Sequence, residues 1–110
     1  MSKTKFDKSA ADRDLYSGLI RLHVLYHAVK GPIFGLGMME ELARHGYRIS
    51  PGSLYPLLHS LEKRGYLRSS ELRNGKSLRK VYRATSLGRK ALAASNDRVR
   101  ELFRELIEEQ

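Results

Sequence analysis

The sequence predicts a mainly α-helical (α+β) domain in which three short helices, a β-hairpin and a long final helix follow one another. Apolar residues recur at helical spacing in four stretches of the chain. Asn74-Gly75, the strongest short-range signal for a tight turn, separates two short basic segments typical of strands. Gly31-Pro32 and Gly65 stand where the first and third helices should end.

The charge of the chain is concentrated in its middle. With 110 residues the chain is large enough for one hydrophobic core, and its net charge is +9. Residues 44–90 hold twelve basic side chains against only Glu62 and Glu71, a net charge of +10. Ordinary solvated surfaces spread their charge more evenly, so this concentration indicates a polyanionic partner.

Several classes of protein are disfavoured by what the sequence lacks. There is no cysteine, which excludes disulfides and thiol catalysis. Residues 1–14 do not resemble a signal peptide, and the apolar stretch at 22–29 is too short to cross a bilayer, so we expect a cytoplasmic protein without a membrane partner. No nucleophile elbow, P-loop or HExxH motif is present, so we do not expect an enzyme.

The first helix is expected from about Asp14 to Lys30, after a disordered arm at residues 1–13. It is apolar around most of its circumference, with one stripe formed by Leu15, Leu19, Leu22, Tyr26 and Val29. A helix of this kind must be covered on more than one side, and in so small a domain a second copy of the chain is the natural cover.

The second helix is expected over Gly35 to Arg44, and the third begins with Ser50 as N-cap and Pro51 in the first turn. Pro56 removes one backbone hydrogen bond inside the third helix. The sequence therefore predicts either a slight kink or a regular helix that begins near Gly52. The buried stripe of this helix consists of Leu54, Leu57, Leu58 and Leu61.

The hairpin is expected to pair residues 66–73 with 78–85 around Asn74-Gly75, and its imperfect alternation leaves open a loop that extends over Lys76 and Ser77. Thr85 should cap a final helix that runs to about Glu108. In that helix apolar residues recur every seven positions, which is typical of a helix that packs against another chain.

This order of elements is that of a winged helix-turn-helix with an added C-terminal helix. Four strings of residues resemble the PadR family of bacterial transcriptional regulators: GPIFG at 31–35, ISPGSLYPLL at 49–58, LEKRGYL at 61–67 and RKVYRAT at 79–85, followed by Gly88. The resemblance covers residues 15–92, and the string SPGSLYPLL is highly specific. The short C-terminal segment is similar to the small branch of the family.

The resemblance implies a homodimer that represses promoters by binding palindromic operators, with a dimer interface built from the first and last helices. In some members it also implies a small-molecule effector, such as a phenolic acid or a hydrophobic drug, which we expect at that interface. The chain departs from the family pattern at Leu36 and Gly37, where an aromatic and an acidic residue are usual. Its final helix has no tryptophan, which argues against a drug-stacking pocket.

The expected organisation is a winged helix DNA-binding domain at residues 14–85 and a C-terminal dimerisation helix at 86–110. Double-stranded DNA is the expected partner, with the third helix in the major groove and the hairpin along the backbone. The DNA-binding candidates are Ser50, Pro51, Gly52, Ser53, Tyr55, His59, Lys63, Lys76, Arg79 and Lys80. The dimer-interface candidates are Leu15, Leu19, Leu22, Tyr26, Leu92, Val99, Leu102, Phe103 and Leu106.

Some alternatives stay open at this point. Tyr55 has the spacing of a core aromatic residue as well as that of a DNA contact. His23 and His27 lie one helical turn apart, but no third ligand is evident from the sequence, so neither a metal nor another cofactor is predicted. A winged helix protein-interaction module, or a ligand or metal sensor without intrinsic sequence-specific DNA binding, is the alternative to a repressor.

Overall fold

The computed structural model describes residues 15–109. In chain order these form α1 (Ser17–Lys30), α2 (Gly35–Arg44), α3 (Pro51–Lys63), β1 (Leu67–Asn74), β2 (Ser77–Ala84) and α4 (Ser86–Phe103), with a final π-helical turn at Arg104–Glu108. The predicted winged helix-turn-helix is confirmed: α2 and α3 form the helix-turn-helix, and β1 and β2 form the wing. The predicted N-terminal arm at residues 1–13 lies outside the described residues.

Helix α1 has one face in the core and another in solvent. The core face consists of Ile20, Val24, Leu25 and Ala28. On the other face Leu15, Leu19 and Tyr26 are exposed. The regular helix begins at Ser17, slightly later than predicted. Leu22 and Val29, the rest of the predicted stripe, are half-buried, so residues 15–109 cover this side of the helix only in part.

Helix α3 begins at Pro51, within one residue of the start expected near Gly52, and runs unbroken through Pro56. The reason lies in the first turn. The carbonyl oxygen of Ser50 accepts the amides of Ser53 and Leu54 at 3.0 and 2.8 Å, so the turn closes without an amide from Pro51.

Ser50 occupies the N-cap position with an extended backbone, but its side chain does not make the expected capping hydrogen bond. Its hydroxyl instead donates to Ser53 Oγ, 3.4 Å away. This part of the cap prediction is therefore wrong, and the hydroxyl stays on the exposed front end of the helix.

The turn of the wing lies one residue later than predicted. Strands β1 and β2 pair antiparallel from Leu67 opposite Ala84 to Asn74 opposite Ser77, so the turn residues are Gly75 and Lys76. Gly75 has a φ of +66°, and no residue other than glycine has a positive φ within residues 15–109. A positive φ at the first turn residue alone is the pattern of a type II′ turn, which has glycine in that position. The type I′ turn suggested by Asn74-Gly75 requires a positive φ at both turn residues.

The wing is joined to the segment before α2 by a short backbone pairing that the sequence analysis did not anticipate. The amide of Ile33 donates to the carbonyl of Tyr82 at 2.9 Å, and the amide of Tyr82 donates back to Ile33 at 2.8 Å. Both side chains are buried. The wing is thus fixed to the helix-turn-helix by a two-hydrogen-bond bridge.

The final helix is capped as predicted, because Thr85 Oγ1 accepts the amide of Gly88 at 3.0 Å. The helical segment also reaches the predicted end at Glu108, but its last turn is π-helical rather than α-helical. Among the residues of α4 only Gly88 is buried, so this helix leaves most of its surface outside the core.

The hydrophobic core lies between α1, α2, α3 and the base of the wing. The predicted stripe of α3 is confirmed, since all four of its leucines are buried. Val24, Leu42 and Leu67 complete the centre of this core. Over the described residues no helix is long and apolar enough to cross a bilayer.

Candidate nucleic-acid interface

The surface of α3 opposite its leucine stripe is polar and accessible. Every predicted DNA-binding residue of this helix is exposed except Ser53, which is half-buried. Because the leucines fix the rotation of the helix, this face is presented to solvent in one orientation. The exposed set consists of Ser50, Pro51, Gly52, Tyr55, His59 and Lys63.

Tyr55 is neither a core residue nor a free surface residue. Its side chain is 39 % exposed, and its ring lies against the buried first residue of α2, Gly35. A Cβ atom on Gly35 would lie only 2.1 Å from the Tyr55 hydroxyl oxygen. The phenol therefore covers the start of α2 with its tip and leaves the rest of the ring accessible.

The basic residues of the wing do not share one face. Successive side chains of a strand point to opposite sides, so Arg79 and Lys80 face in opposite directions. The guanidinium of Arg79 lies over the ring of Phe34, 4.2 Å from its centroid, in a cation–π contact. Lys80 Nζ lies 5.7 Å from the centroid of Tyr82. Lys76, at the turn, is exposed.

The positive charge of this region is accessible. All twelve basic side chains between residues 44 and 90 are exposed. Of these twelve, only Arg44 forms an ion pair with another residue of the described part of the chain, and its partner is Glu41 on the same helix. Cations that are left without acidic partners on one segment are available to an external anion.

Glu62 holds the end of α3 to the start of the wing. Its Oε2 accepts the Ser69 hydroxyl at 2.6 Å and the Ser69 amide at 3.1 Å. These hydrogen bonds to its charged form, the one from the Ser69 hydroxyl first, lower the pKa of Glu62 below its ordinary value. Glu62, one of the two acidic residues between residues 44 and 90, is therefore engaged in a contact with Ser69.

The predicted dimer-interface residues lie on a shared surface that is open in the single chain. Leu22 and Leu92 are half-buried, and the other predicted residues are exposed. We call this surface the α1–α4 face; its members are Leu15, Leu19, Leu22, Tyr26, Leu92, Val99, Leu102, Phe103 and Leu106. Such a run of exposed large apolar side chains marks a surface that normally has a partner.

A groove of about 510 Å³ lies between the two helices of this face. Its walls are mainly leucine side chains, with Tyr66 and Val99, and its polar lining includes Arg21, Ser95 and Arg98. Its volume lies within the range of small-molecule sites, about 300–1,000 Å³.

The structure brings a third histidine to the pair at positions 23 and 27. His45, the residue that ends α2, stacks against His23 with ring centroids 4.9 Å apart. Glu41 lies beside them, with its Oε2 3.0 Å from His45 Nε2 and 3.5 Å from His27 Nε2. The statement that no third ligand is available is therefore wrong. The four-residue spacing between Glu41 on α2 and His45 just after it was the signal that could have found them.

Burial and neighbouring charges act on the ionisation of this cluster. Burial lowers the pKa of His23, and the nearby His45 and His27 lower it further. The hydrogen bond from Arg44 holds the pKa of Glu41 below its ordinary value. The lowered pKa values favour a neutral imidazole at His23 and a charged carboxylate at Glu41.

Known proteins share both the sequence pattern and the fold of this chain. Residues 24–94 match the sequence profile described as the Transcriptional regulator PadR-like family. The chain belongs to the PadR-like family of transcriptional regulators. The Transcriptional regulator Rv3488 of Mycobacterium tuberculosis is 44 % identical over 95 residues, which cover 86 % of this chain and 89 % of that protein.

Solved structures of this PadR-like protein's relatives share its fold. The crystal structure of a PadR family transcriptional regulator from Eggerthella lenta matches with a TM-score of 0.76 and 30 % identity, covering 93 % of both chains. A transcriptional regulator from Clostridium thermocellum matches with a TM-score of 0.74 and 26 % identity, over 86 % of this chain and 95 % of the other. Family membership thus identifies this chain as a transcriptional regulator, in a family of regulators rather than enzymes.

Proposed function

We propose that this PadR-like regulator binds double-stranded DNA as a homodimer and represses transcription from palindromic operators. The observation that carries the proposal is the set of exposed, mostly unpaired cations on the segment that contains α3 and the wing. A polyanion that releases counterions on binding is the partner that such a surface favours.

The two elements of the segment suggest different roles. The exposed face of α3 carries short polar side chains at its front end and Tyr55 and His59 behind them, which suits contact with base edges in the major groove. The wing carries Lys76 at its tip and Lys80 on one face, which suits contact with phosphates. Arg79, whose guanidinium lies over Phe34, is on the opposite face of strand β2 from Lys80.

The open α1–α4 face supports a homodimer. Pairing through this face gives a two-fold axis and therefore two recognition helices. Two such helices fit half-sites about one helical turn apart, roughly 34–36 Å, or a multiple of that distance. An effector bound in the α1–α4 groove would change the spacing of the recognition helices and so shift the protein away from its DNA-binding form.

The test combines site selection with salt dependence. Duplexes that the protein selects from a random pool should contain an inverted repeat, and affinity for a selected duplex should fall steeply with salt. Replacement of Lys76 and Lys80 by Ala should reduce the slope of log affinity against log salt by roughly one per lost phosphate contact.

Arg100→Ala is the matched control, because it removes one exposed cation that is paired with Asp97 outside the basic segment. Its slope should equal that of the parent. An unchanged slope in the Lys76 and Lys80 variants would show that these side chains of the wing do not contact phosphates. Failure of the parent protein to bind any duplex at low salt would favour the protein-interaction module instead.

A further inference from the structure

Three of the four histidines of the chain converge where α1 meets the end of α2. His23 and His27 lie one turn apart on α1, and His45 directly follows α2. Each offers one ring nitrogen, and these nitrogens lie within 4.8 Å of one another. Three protonated rings at this distance would repel one another.

A carboxylate completes the arrangement. Glu41 Oε2 faces the Nε2 atoms of both His45 and His27, while its other oxygen bonds to Arg44. The cluster thus offers three ring nitrogens and one carboxylate oxygen, from α1 and from the C-terminal end of α2. Imidazole with one carboxylate is a donor set for Zn²⁺, Ni²⁺, Co²⁺ or Cu²⁺, whereas Ca²⁺ and Mg²⁺ require mostly oxygen.

The distances require only a small adjustment. In a tetrahedral Zn²⁺ site with Zn–N bonds of about 2.0–2.1 Å, ligand nitrogens are roughly 3.3 Å apart. His45 can supply the adjustment, since its side chain is 47 % exposed and it stands at the end of α2. His23 and His27 lie on a regular helix, so the positions of these two ligands are fixed relative to each other.

We propose that His23, His27 and His45 bind a divalent transition-metal ion of the Zn²⁺ type, with Glu41 as the fourth ligand. The cluster opens into a groove of about 490 Å³ whose other walls are apolar residues of the α1–α4 face. A bound ion would therefore fasten α2 to α1 on the floor of that groove. The inference concerns metal binding alone and does not depend on the proposed DNA binding.

The test uses the full chain without a polyhistidine tag, freed of metal with a chelator. Calorimetric titration with Zn²⁺ should give one ion per chain. Titration with Co²⁺ should produce the visible absorption bands of a four-coordinate nitrogen and oxygen site, and Zn²⁺ should abolish them. Mg²⁺ should give no heat of binding at the same concentrations.

The variants distinguish the cluster from loose surface binding. His27→Ala and His45→Ala should each weaken Zn²⁺ binding by more than the 10–100-fold typical of the loss of a group that only supports a ligand. His45→Gln keeps a polar side chain of similar size and should show the same loss. His59→Ala is the matched control: it removes the one histidine that lies outside the cluster, on the exposed face of α3.

The proposal fails if Zn²⁺ does not bind, or if His59→Ala lowers the affinity as much as His45→Ala does. Circular dichroism of each variant must match the parent, so that a loss of affinity reflects a lost ligand. Glu41→Gln should weaken binding without abolishing it, and an unchanged affinity in this variant would overturn the assignment of Glu41 as a ligand.

Discussion

Tyr55 shows how one side chain can belong to two surfaces. Its ring starts on the exposed face of α3, and its tip covers Gly35 at the beginning of α2. The two helices of the helix-turn-helix therefore touch through a residue that also belongs to the proposed DNA-binding surface. Gly35 is required at this point because any side chain there would occupy the position of the phenol.

Gly35→Ala should lower the free energy of unfolding. The added Cβ would lie 2.1 Å from the Tyr55 hydroxyl oxygen and 2.5 Å from Cζ, so the ring must move. Because Tyr55 is 39 % exposed and its ring can shift toward solvent, we expect a loss of about 1 kcal/mol, at the low end of overpacking effects. Urea denaturation measures this change.

Gly18→Ala is the control for Gly35→Ala. A Cβ at Gly18 would meet nothing within 4 Å, so this variant should be as stable as the parent or more stable by about 0.5–1 kcal/mol. In a Tyr55→Ala background, Gly35→Ala should lose most of its effect. Equal losses in both backgrounds would exclude the clash as the cause.

At the scale of elements, α3 and the wing are joined by the contact between Glu62 and Ser69. The carboxylate accepts two hydrogen bonds from one residue of β1. Together with the bridge between Ile33 and Tyr82, this contact sets the position of the wing relative to the recognition helix. In the proposed DNA complex, the distance between base contacts and phosphate contacts would depend on that position.

Ser69→Ala should destabilise the protein at neutral pH by about 1.5 kcal/mol, because it removes a hydrogen bond to a charged group. The pKa of Glu62 is lowered in the folded state, so its contribution is present above the unfolded value near 4.5 and is lost as the pH falls through the folded pKa. The stability difference between parent and variant should therefore shrink below pH 4.5. Urea denaturation at a series of pH values measures it.

Ser70→Ala is the matched control, since Ser70 is the next residue on β1 and is exposed. This variant should lose little free energy of unfolding at any pH. A difference between parent and Ser69→Ala that stays constant from pH 7 to pH 3 would mean that Glu62 is not the acceptor that matters.

The sequence predicted those elements whose causes are local. The leucine stripe of α3, the Pro51 start and the Thr85 cap depend on residues a few positions apart, and the structure agrees with them. The turn was misplaced because Asn74-Gly75 and Gly75-Lys76 are both acceptable turn pairs. Only the register of the whole hairpin chooses between them.

Features that depend on distant residues escaped the sequence analysis. The Ile33–Tyr82 bridge, the contact of Tyr55 with Gly35 and the approach of His45 to His23 all join segments far apart in the chain. No periodicity encodes such contacts, because they follow from the packing of helices and wing around the core. The position of Arg79 over Phe34 belongs to the same group.

At the scale of the molecule, the chain is elongated, with principal extents of 57 × 32 × 23 Å. The α1–α4 face runs along it and carries large apolar side chains that the single chain leaves exposed. Hydrophobic burial between two copies is the main stabilisation available to this surface.

Glutamate at Leu102 should convert the protein to monomers. A charge in the centre of a desolvated apolar interface has no partner and strongly disfavours association. Sedimentation equilibrium should give the mass of two chains for the parent and of one chain for Leu102→Glu.

Leu72→Glu is a close control, because Leu72 on the wing is 49 % exposed and Leu102 is 48 % exposed. It should leave the mass unchanged. If the parent protein sediments as a single chain, or if both variants dissociate equally, the α1–α4 face is not the dimer interface.

Helix α4 has only one residue, Gly88, that is buried within the chain. Most of the stability of a helix in a protein comes from the packing of its apolar face, so in the proposed dimer the ordering of α4 would be coupled to pairing. Below the dissociation constant, the amount of dimer would rise with the square of the amount of chain synthesised. A cell that slightly raises or lowers production of this regulator would then change the occupancy of the proposed operators more than proportionally.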